Sequence, residues 1–208
     1  MTHFSTLRDD ETNIEELSVN IFKKRVKVNH SKSIDFFCPN EMTSSRVNTI
    51  FSKEPETIEW IDSFENNSVF WDIGANIGLY SLYAALVHDS KVFAFEPAAS
   101  NYFCLCKNIE LNKLDKQIFP LCISFSDQTK IAPLNMVSTE YGSSQNEFDY
   151  EKNDLGENPD FMFQQSSIGF TINDFIKIYN PSLPNHLKID VDGIESLIIK
   201  ESNTLLSY

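Results

Sequence analysis

The 208-residue sequence predicts an α/β fold in which a parallel sheet carries helices on both faces. Three observations predict it. The stretch from Ser68 to Pro97 alternates strand, glycine turn, helix and strand, the βαβ pattern of a parallel sheet. A helical run from Ala98 to Asn112 and an apolar run from Gln117 to Ser124 then repeat the alternation. A fourth strand, His186 to Gly193, precedes a helix from Ile194 to about Leu206 and places its acids at its carboxyl end, as the first two strands do.

Residues Met1 to about Asn20 are polar and charged, with a short helix expected around Ile14 to Leu17. Ile21 to His30 and Ser33 to Cys38 are β-forming, and Asn29 to Lys32 joins them as a hairpin turn. A helical region covers Glu41 to Phe51. Another opens at Pro55, where proline suits a first turn, with Ile58, Ile61 and Phe64 on one face. Residues 1–67 are therefore expected to form an N-terminal extension, a hairpin plus helices able to act as a lid. Residues 68–208 are expected to form the ligand-binding domain.

Within that domain Val69-Phe70-Trp71 suits a strand buried on both faces. Leu79, Leu82, Tyr83 and Leu86 recur at helical spacing, and Lys91 to Phe95 is the next strand. In the helix that follows, Phe103, Cys106, Ile109 and Leu111 are the expected inward residues. Gln117 to Ser124 forms the third strand despite Pro120, Ser126-Asp127-Gln128 turns the chain, and Lys130 to Val137 adds a further strand. Ser138 to Ser167 is polar, acidic and glycine-containing, and is expected as a long irregular loop facing the substrate. Thr171 or Asn173 caps a short helix that Asn180-Pro181 ends.

Composition narrows the function. A formal net charge of −13 argues against a nucleic-acid surface, and Lys23-Lys24-Arg25-Val26-Lys27 is expected as a solvated strand face. Cys38, Cys104, Cys106 and Cys122 form no CxxC pair and have no histidine at ligand spacing, so no zinc site and no disulfide framework is expected. The N-terminus is too polar for a signal peptide and no apolar run spans a bilayer. The expected location is the cytoplasm.

The chemistry gathers at the strand tips. A nucleoside needs a gap at the carboxyl ends of parallel strands, a glycine turn and a carboxylate for the ribose hydroxyls. Glu96 lies at the required distance, roughly 20–25 residues beyond the first strand's tip. The turn Gly74-Ala75-Asn76-Ile77-Gly78 is G-x-N-x-G and lacks the third glycine of the dinucleotide fingerprint. Asp72 just before it suits a cationic or amino-acid-bearing ligand, and S-adenosylmethionine carries both features. Asp72, Gly74, Gly78 and Glu96 are thus the cofactor-facing residues. On the fourth strand Asp190 and Asp192 are two apart and would share a face, and Glu195 follows in the next helix's first turn. A carboxylate there could act as a base, orient the substrate or hold a divalent cation. His186 lies on the order of 13 Å from the tip, too far to act as the base, and Lys188 is expected to be structural.

VFWDIGANIGLYSLYAA, VFAFEPAASNYFCLCKNIELN, TINDF and LKIDVDGIE resemble the FkbM-type S-adenosylmethionine-dependent methyltransferases, from about Phe36 to Lys200. KIDVDG is the block most particular to that family. The resemblance implies a Rossmann-like class I methyltransferase sheet and O-methylation of a hydroxyl on a sugar, glycan or secondary-metabolite acceptor. It assigns Asp72, Gly74, Asn76 and Gly78 to the cofactor turn, Glu96 to the ribose and Asp190 to the catalytic acid of the fourth strand. Ser126-Asp127 matches a turn near the adenine. Glu is commoner in the family where this chain has Asp192. A nicotinamide-dependent oxidoreductase and a non-catalytic nucleoside-binding module are the rival readings. Such a sheet has seven strands, in the order 3-2-1-4-5-7-6, and only the first four are legible. The chain is therefore expected to be part of a longer protein lacking roughly 40–80 residues, with its fourth strand an exposed edge.

Overall fold

The structure, a computed structural model, describes residues 22–28, 31–149, 160–191, 193–200, 202 and 205. The short helix expected around Ile14 lies outside the described residues. Strands β1 (Lys23–Lys27) and β2 (Ser33–Phe37) form an antiparallel hairpin. Across it Arg25 grips Asp35 with Nε at 2.6 Å and Nη2 at 2.9 Å, and the Lys23 Nζ sits 2.7 Å from the same carboxylate. The Arg25 guanidinium, with Lys23 beside it, pulls the Asp35 carboxyl down to about 2. Part of the basic run thus answers an acid on its own hairpin.

Helix α1 (Glu41–Asn48) starts from a capping box in which Asn40 and Thr43 satisfy each other's backbone N–H. Helix α2 (Pro55–Asp62) begins on its proline. The core follows as β3 (Val69–Ile73), α3 (Leu79–His88), β4 (Lys91–Phe95), α4 (Ala99–Asn112) and β5 (Ile118–Leu121). Much later comes β10 (His186–Ile189), which pairs with β3. All pairings in this sheet are parallel and its order is β10-β3-β4-β5. Pro120 is tolerated because β5 lies at an edge. Among the described residues β10 is the other edge, as expected of the fourth strand.

The segment expected as one irregular loop, Ser138 to Ser167, contains β8 (Asn146–Phe148) and the first half of β9 (Phe163–Phe170). With β6 (Ser124–Phe125) and β7 (Lys130–Met136), the further strand expected from Lys130 to Val137, they form a second sheet in the order β6-β9-β7-β8. β7 and β9 pair antiparallel from Lys130↔Gly169 to Met136↔Phe163. Ser124, expected at the end of the third core strand, belongs to this sheet instead. β9 reads FQQSSIGF and exposes much of its length, so it has little apolar alternation to betray it. Helix α5 (Ile172–Tyr179) is capped by Thr171, whose Oγ1 accepts from the Asp174 N–H at 3.0 Å. Helix α6 (Glu195–Lys200) follows the core's last strand.

Alternation along β3 divides the interior. Phe70 and Asp72 face α3, while Trp71 and Ile73 face an aromatic layer with Phe95, Phe125, Phe170 and Phe175. The Phe70 side is one continuous cluster that also contains Ile34, Phe36, Val47, Ile50, Ile58, Ile61 and Phe64. On α4 the inward face differs from expectation. Cys104, Leu105, Asn108 and Ile109 are buried with Asn101, whereas Phe103 and Leu111 are exposed. The reason is polar: Asn108 and Asn112 accept from the Phe37 and Asp35 N–H groups at 2.6 and 2.9 Å, completing the free edge of β2. No described helix is long and apolar enough to cross a membrane.

Candidate cofactor and active site

The carboxyl ends of β3, β4 and β10 converge on the turn after β3. That turn is pinned from below, where the Gly74 and Ala75 N–H groups both donate to the Phe95 carbonyl at 2.9 and 3.0 Å. Gly74 has φ +83°, and a Cβ there would run into the carbonyl oxygen of Asp190. Its close approach is to the backbone leaving β10, which differs from the expected approach to a ligand. Gly78 (φ +85°) starts α3, and a Cβ on it would meet the Leu105 side chain, so it serves helix packing. Asn76, between them, also has positive φ, a conformation asparagine tolerates. Its Oδ1 accepts from the Ile77 N–H at 3.0 Å and its Nδ2 donates to the Ser143 carbonyl at 2.8 Å.

Glu96 is buried at the tip of β4. Its Oε2 accepts from the Asn76 N–H at 2.8 Å and its Oε1 from the Ala98 N–H at 2.9 Å. Burial pushes its carboxyl up to about 7, against the pull of those two N–H groups and the Asn101 amide. Asp72 lies beneath the turn, fully enclosed. Ser81 donates to its Oδ2 at 2.6 Å, and its Oδ1 has no partner. Burial raises its carboxyl, and the charge of Lys188, opposite it across the β3–β10 pairing, acts the other way.

Asp190 follows β10 with its carboxylate 61% exposed at the mouth of the cleft, 2.7 Å from the Lys188 Nζ. Lys188 is itself only 10% exposed and stands 5.3 Å over the Tyr80 ring. Burial raises the Tyr80 hydroxyl, and the charge of Glu54 beside it raises it further. Lys188, expected to be structural, is thus the cation that holds Asp190. Among the described residues no three His, Cys, Asp or Glu side chains gather as a metal site. Asp192 lies outside the described residues.

Gly74, Asn76, Glu96 and Asp190 line one open cleft of about 180 Å³. Its walls are Arg46, Lys53 and Glu54, the turn residues Gly74 and Asn76, Glu96, Pro97 and Asn101, then Ser143, Ser144 and Asn146, and Asp190 and Val191. A smaller cavity beside it reaches Tyr80 and Lys188. The loop before β8 is fastened over the cleft from four directions. Asn40 Nδ2 donates to the Tyr141 carbonyl at 3.0 Å, Arg46 Nε to Gly142 at 2.6 Å, and Asn76 and Asn101 both to Ser143.

Of the residues expected from sequence, the structure brings Gly74, Asn76, Glu96 and Asp190 to the cleft wall. Asp72 and Gly78 support the turn from inside. Asp127 is in the β6–β7 turn, taken up by the Ser126 hydroxyl at 3.1 Å, and does not line the cleft. His186 stacks on Phe64 at 3.6 Å between centroids, at the far end of β10. Arg46, Lys53, Glu54, Tyr80 and Asn146 were not singled out. Arg46, Lys53 and Glu54 precede the glycine turn, Tyr80 follows it in the first turn of α3, and Asn146 sits in the segment expected as loop. Asn101, also on the cleft wall, is one of three asparagines with Asn108 and Asn112 that interrupt the apolar residues of α4.

Residues 72–207 match the profile of the methyltransferase FkbM domain. The chain belongs to that family. The matched span opens at Asp72 and holds Asn76, Glu96, Asn146 and Asp190, while Arg46, Lys53 and Glu54 precede it. Methyltransferase sdnD of Sordaria araneosa is 35% identical over 85 residues, covering 40% of this chain and 33% of that protein. The crystal structure of methyltransferase FkbM from Methylobacillus flagellatus is similar at 17% identity and TM-score 0.45, covering 69% of this chain and 31% of that one. TYW2 of M. jannaschii, solved with AdoMet, is 23% identical at TM-score 0.34, over 48% and 42% of the two chains. The chain thus spans about a third of the length of the first two relatives.

Proposed function

We propose that this FkbM domain binds S-adenosylmethionine and methylates a hydroxyl group of a sugar, glycan or secondary-metabolite acceptor. The observation that carries the reading is Glu96, a buried carboxylate at the tip of β4 that two backbone N–H groups aim at the cleft. A carboxylate oxygen can accept more than one hydrogen bond, so Glu96 retains capacity for the ribose hydroxyls. Bound there, S-adenosylmethionine would supply a methyl group on a cationic sulfur, the electrophile of the reaction. The chain's residues do the rest. Asn76 and the loop it fastens enclose the nucleoside, and Arg46 and Glu54 offer opposite charges to its amino-acid end. Asp190, held by Lys188 at the mouth, takes the proton from the acceptor hydroxyl.

The test is calorimetric titration with S-adenosylhomocysteine, followed by incubation with labelled S-adenosylmethionine and an extract of glycans and small metabolites. Binding and label on an acceptor oxygen are expected. Asp190→Asn should keep the affinity and lower the turnover. Absence of S-adenosylhomocysteine binding would overturn the reading.

A further inference from the structure

A groove of about 320 Å³ lies between α5 and the β4–β5 edge of the parallel sheet, and it shares no residue with the Glu96 cleft. Phe93, Leu121 and Ile123 line it from the sheet side, and Phe170, Phe175 and Tyr179 from the other. Alternation puts Lys91 on the same face of β4 as Phe93, two residues nearer the strand's start. Its Nζ stands 5.4 Å from the ring centroids of Phe93 and Phe119, which stack across β4 and β5. It also donates to the Ser182 Oγ at 2.8 Å, and Ser182 follows the groove residue Pro181. The Trp71 indole N–H donates to the Ser182 carbonyl at 3.1 Å and steadies that side of the lysine. The sequence has 30 Asp and Glu against 17 Lys and Arg, yet among the described residues Lys91 has no carboxylate as an ion-pair partner.

We propose that this groove binds a free medium-chain fatty acid, with the tail on the β4–β5 face and the carboxylate on Lys91. The volume falls at the small end of ligand sites, which run from about 300 to 1,000 Å³. Aliphatic and aromatic side chains line the space and offer an alkyl chain contact along its length. An ammonium has three donors and Ser182 takes one, so two remain for a carboxylate. A charge-assisted pair is stronger than a neutral contact, which selects an acid over an alcohol. An apolar path beside a single unpaired cation thus matches an amphiphile with one chain and one negative head. The site is independent of the cofactor reading, because β5 is the opposite edge of the sheet from β10 and Asp190.

The experiment titrates the full chain by calorimetry with octanoate, decanoate and decyltrimethylammonium, each below its micelle concentration. Decanoate should saturate one site per chain and bind about fifteenfold tighter than octanoate, the scale of two buried methylenes. The ammonium compound, equal in tail and opposite in charge, should bind at least about tenfold weaker. Lys91→Met should remove that preference and keep the dependence on chain length. Tyr179→Glu, which sets the ligand's own charge at an exposed lining position, should abolish decanoate binding while thermal unfolding stays cooperative. No saturable decanoate binding, equal affinity for the ammonium compound, or a Lys91→Met chain that keeps the preference overturns the proposal. So does displacement of decanoate by S-adenosylhomocysteine, which would put the acid in the Glu96 cleft. Sedimentation that finds a dimer dissociated by Tyr179→Glu would assign this face to a second copy of the chain and overturn the proposal as well.

Discussion

Glu96 places a titrating carboxyl where a ribose is expected. Its value in the fold, about 7, stands above the ordinary 4.5 because burial outweighs its two N–H donors. The folded chain therefore holds a proton there that the unfolded chain releases between those values. The stabilisation from Glu96 is full below 4.5 and declines as pH rises through about 7. Ribose hydroxyls donate best to the ionised form, so affinity for S-adenosylhomocysteine should rise from pH 6 to pH 8, and in Glu96→Gln it should stay flat. Calorimetry across that range decides it. Gly74 makes a different prediction. Gly74→Ala forces a side chain into positive φ, at about 1–2 kcal/mol, and drives Asp190 away from the turn. Both a lower Tm and a lower turnover should follow; a variant as stable and active as wild type would contradict the close crossing.

At the scale of the element, α4 works as a polar rail. Asn108 accepts from the Phe37 N–H and donates to the Ile77 carbonyl at 2.8 Å, tying the hairpin to the turn through one side chain. Asn108→Leu should cost about 1–3 kcal/mol, because two buried backbone groups lose their partner while the side-chain volume changes little. A urea-unfolding midpoint unchanged by the substitution would contradict that role. The same helix shows why periodicity misled. Phe103 and Leu111 are the apolar letters a pattern search selects, yet the helix turns Asn101 and Asn108 inward. Buried asparagines signal partners, and partners distant in sequence are invisible to a local window. β9 failed for a related reason, since its pairing with β7 is carried by the backbone and its side chains are polar.

For the whole molecule, the boundary expected at residue 67 cuts through a shared interior. Ile34, Phe36, Val47, Ile50, Ile58, Ile61 and Phe64 belong to the cluster that covers Phe70 and Leu82. Arg46, Lys53 and Glu54, from that same segment, form a wall of the cleft. A chain beginning at residue 65 should therefore lose cooperative unfolding and nucleoside binding together, because truncation exposes one face of the β3 layer. A sharp thermal transition in that shortened chain would show that the two parts fold independently.

The sequence by itself determined the βαβ core, the glycine turn, the strand-tip acids Glu96 and Asp190, and the family resemblance. Each is written in short-range order: apolar runs, glycines at fixed offsets, an acid at a strand's end. Only the tertiary structure decided which of these residues meet. It turned Asp72 and Gly78 inward, set the backbone of Asp190 against Gly74, and gave Lys188 to Asp190. It also brought Arg46, Glu54 and Asn146 to one cleft from segments about a hundred residues apart. Those contacts depend on how the packed layers close over one another, and no local pattern encodes a distance between distant segments.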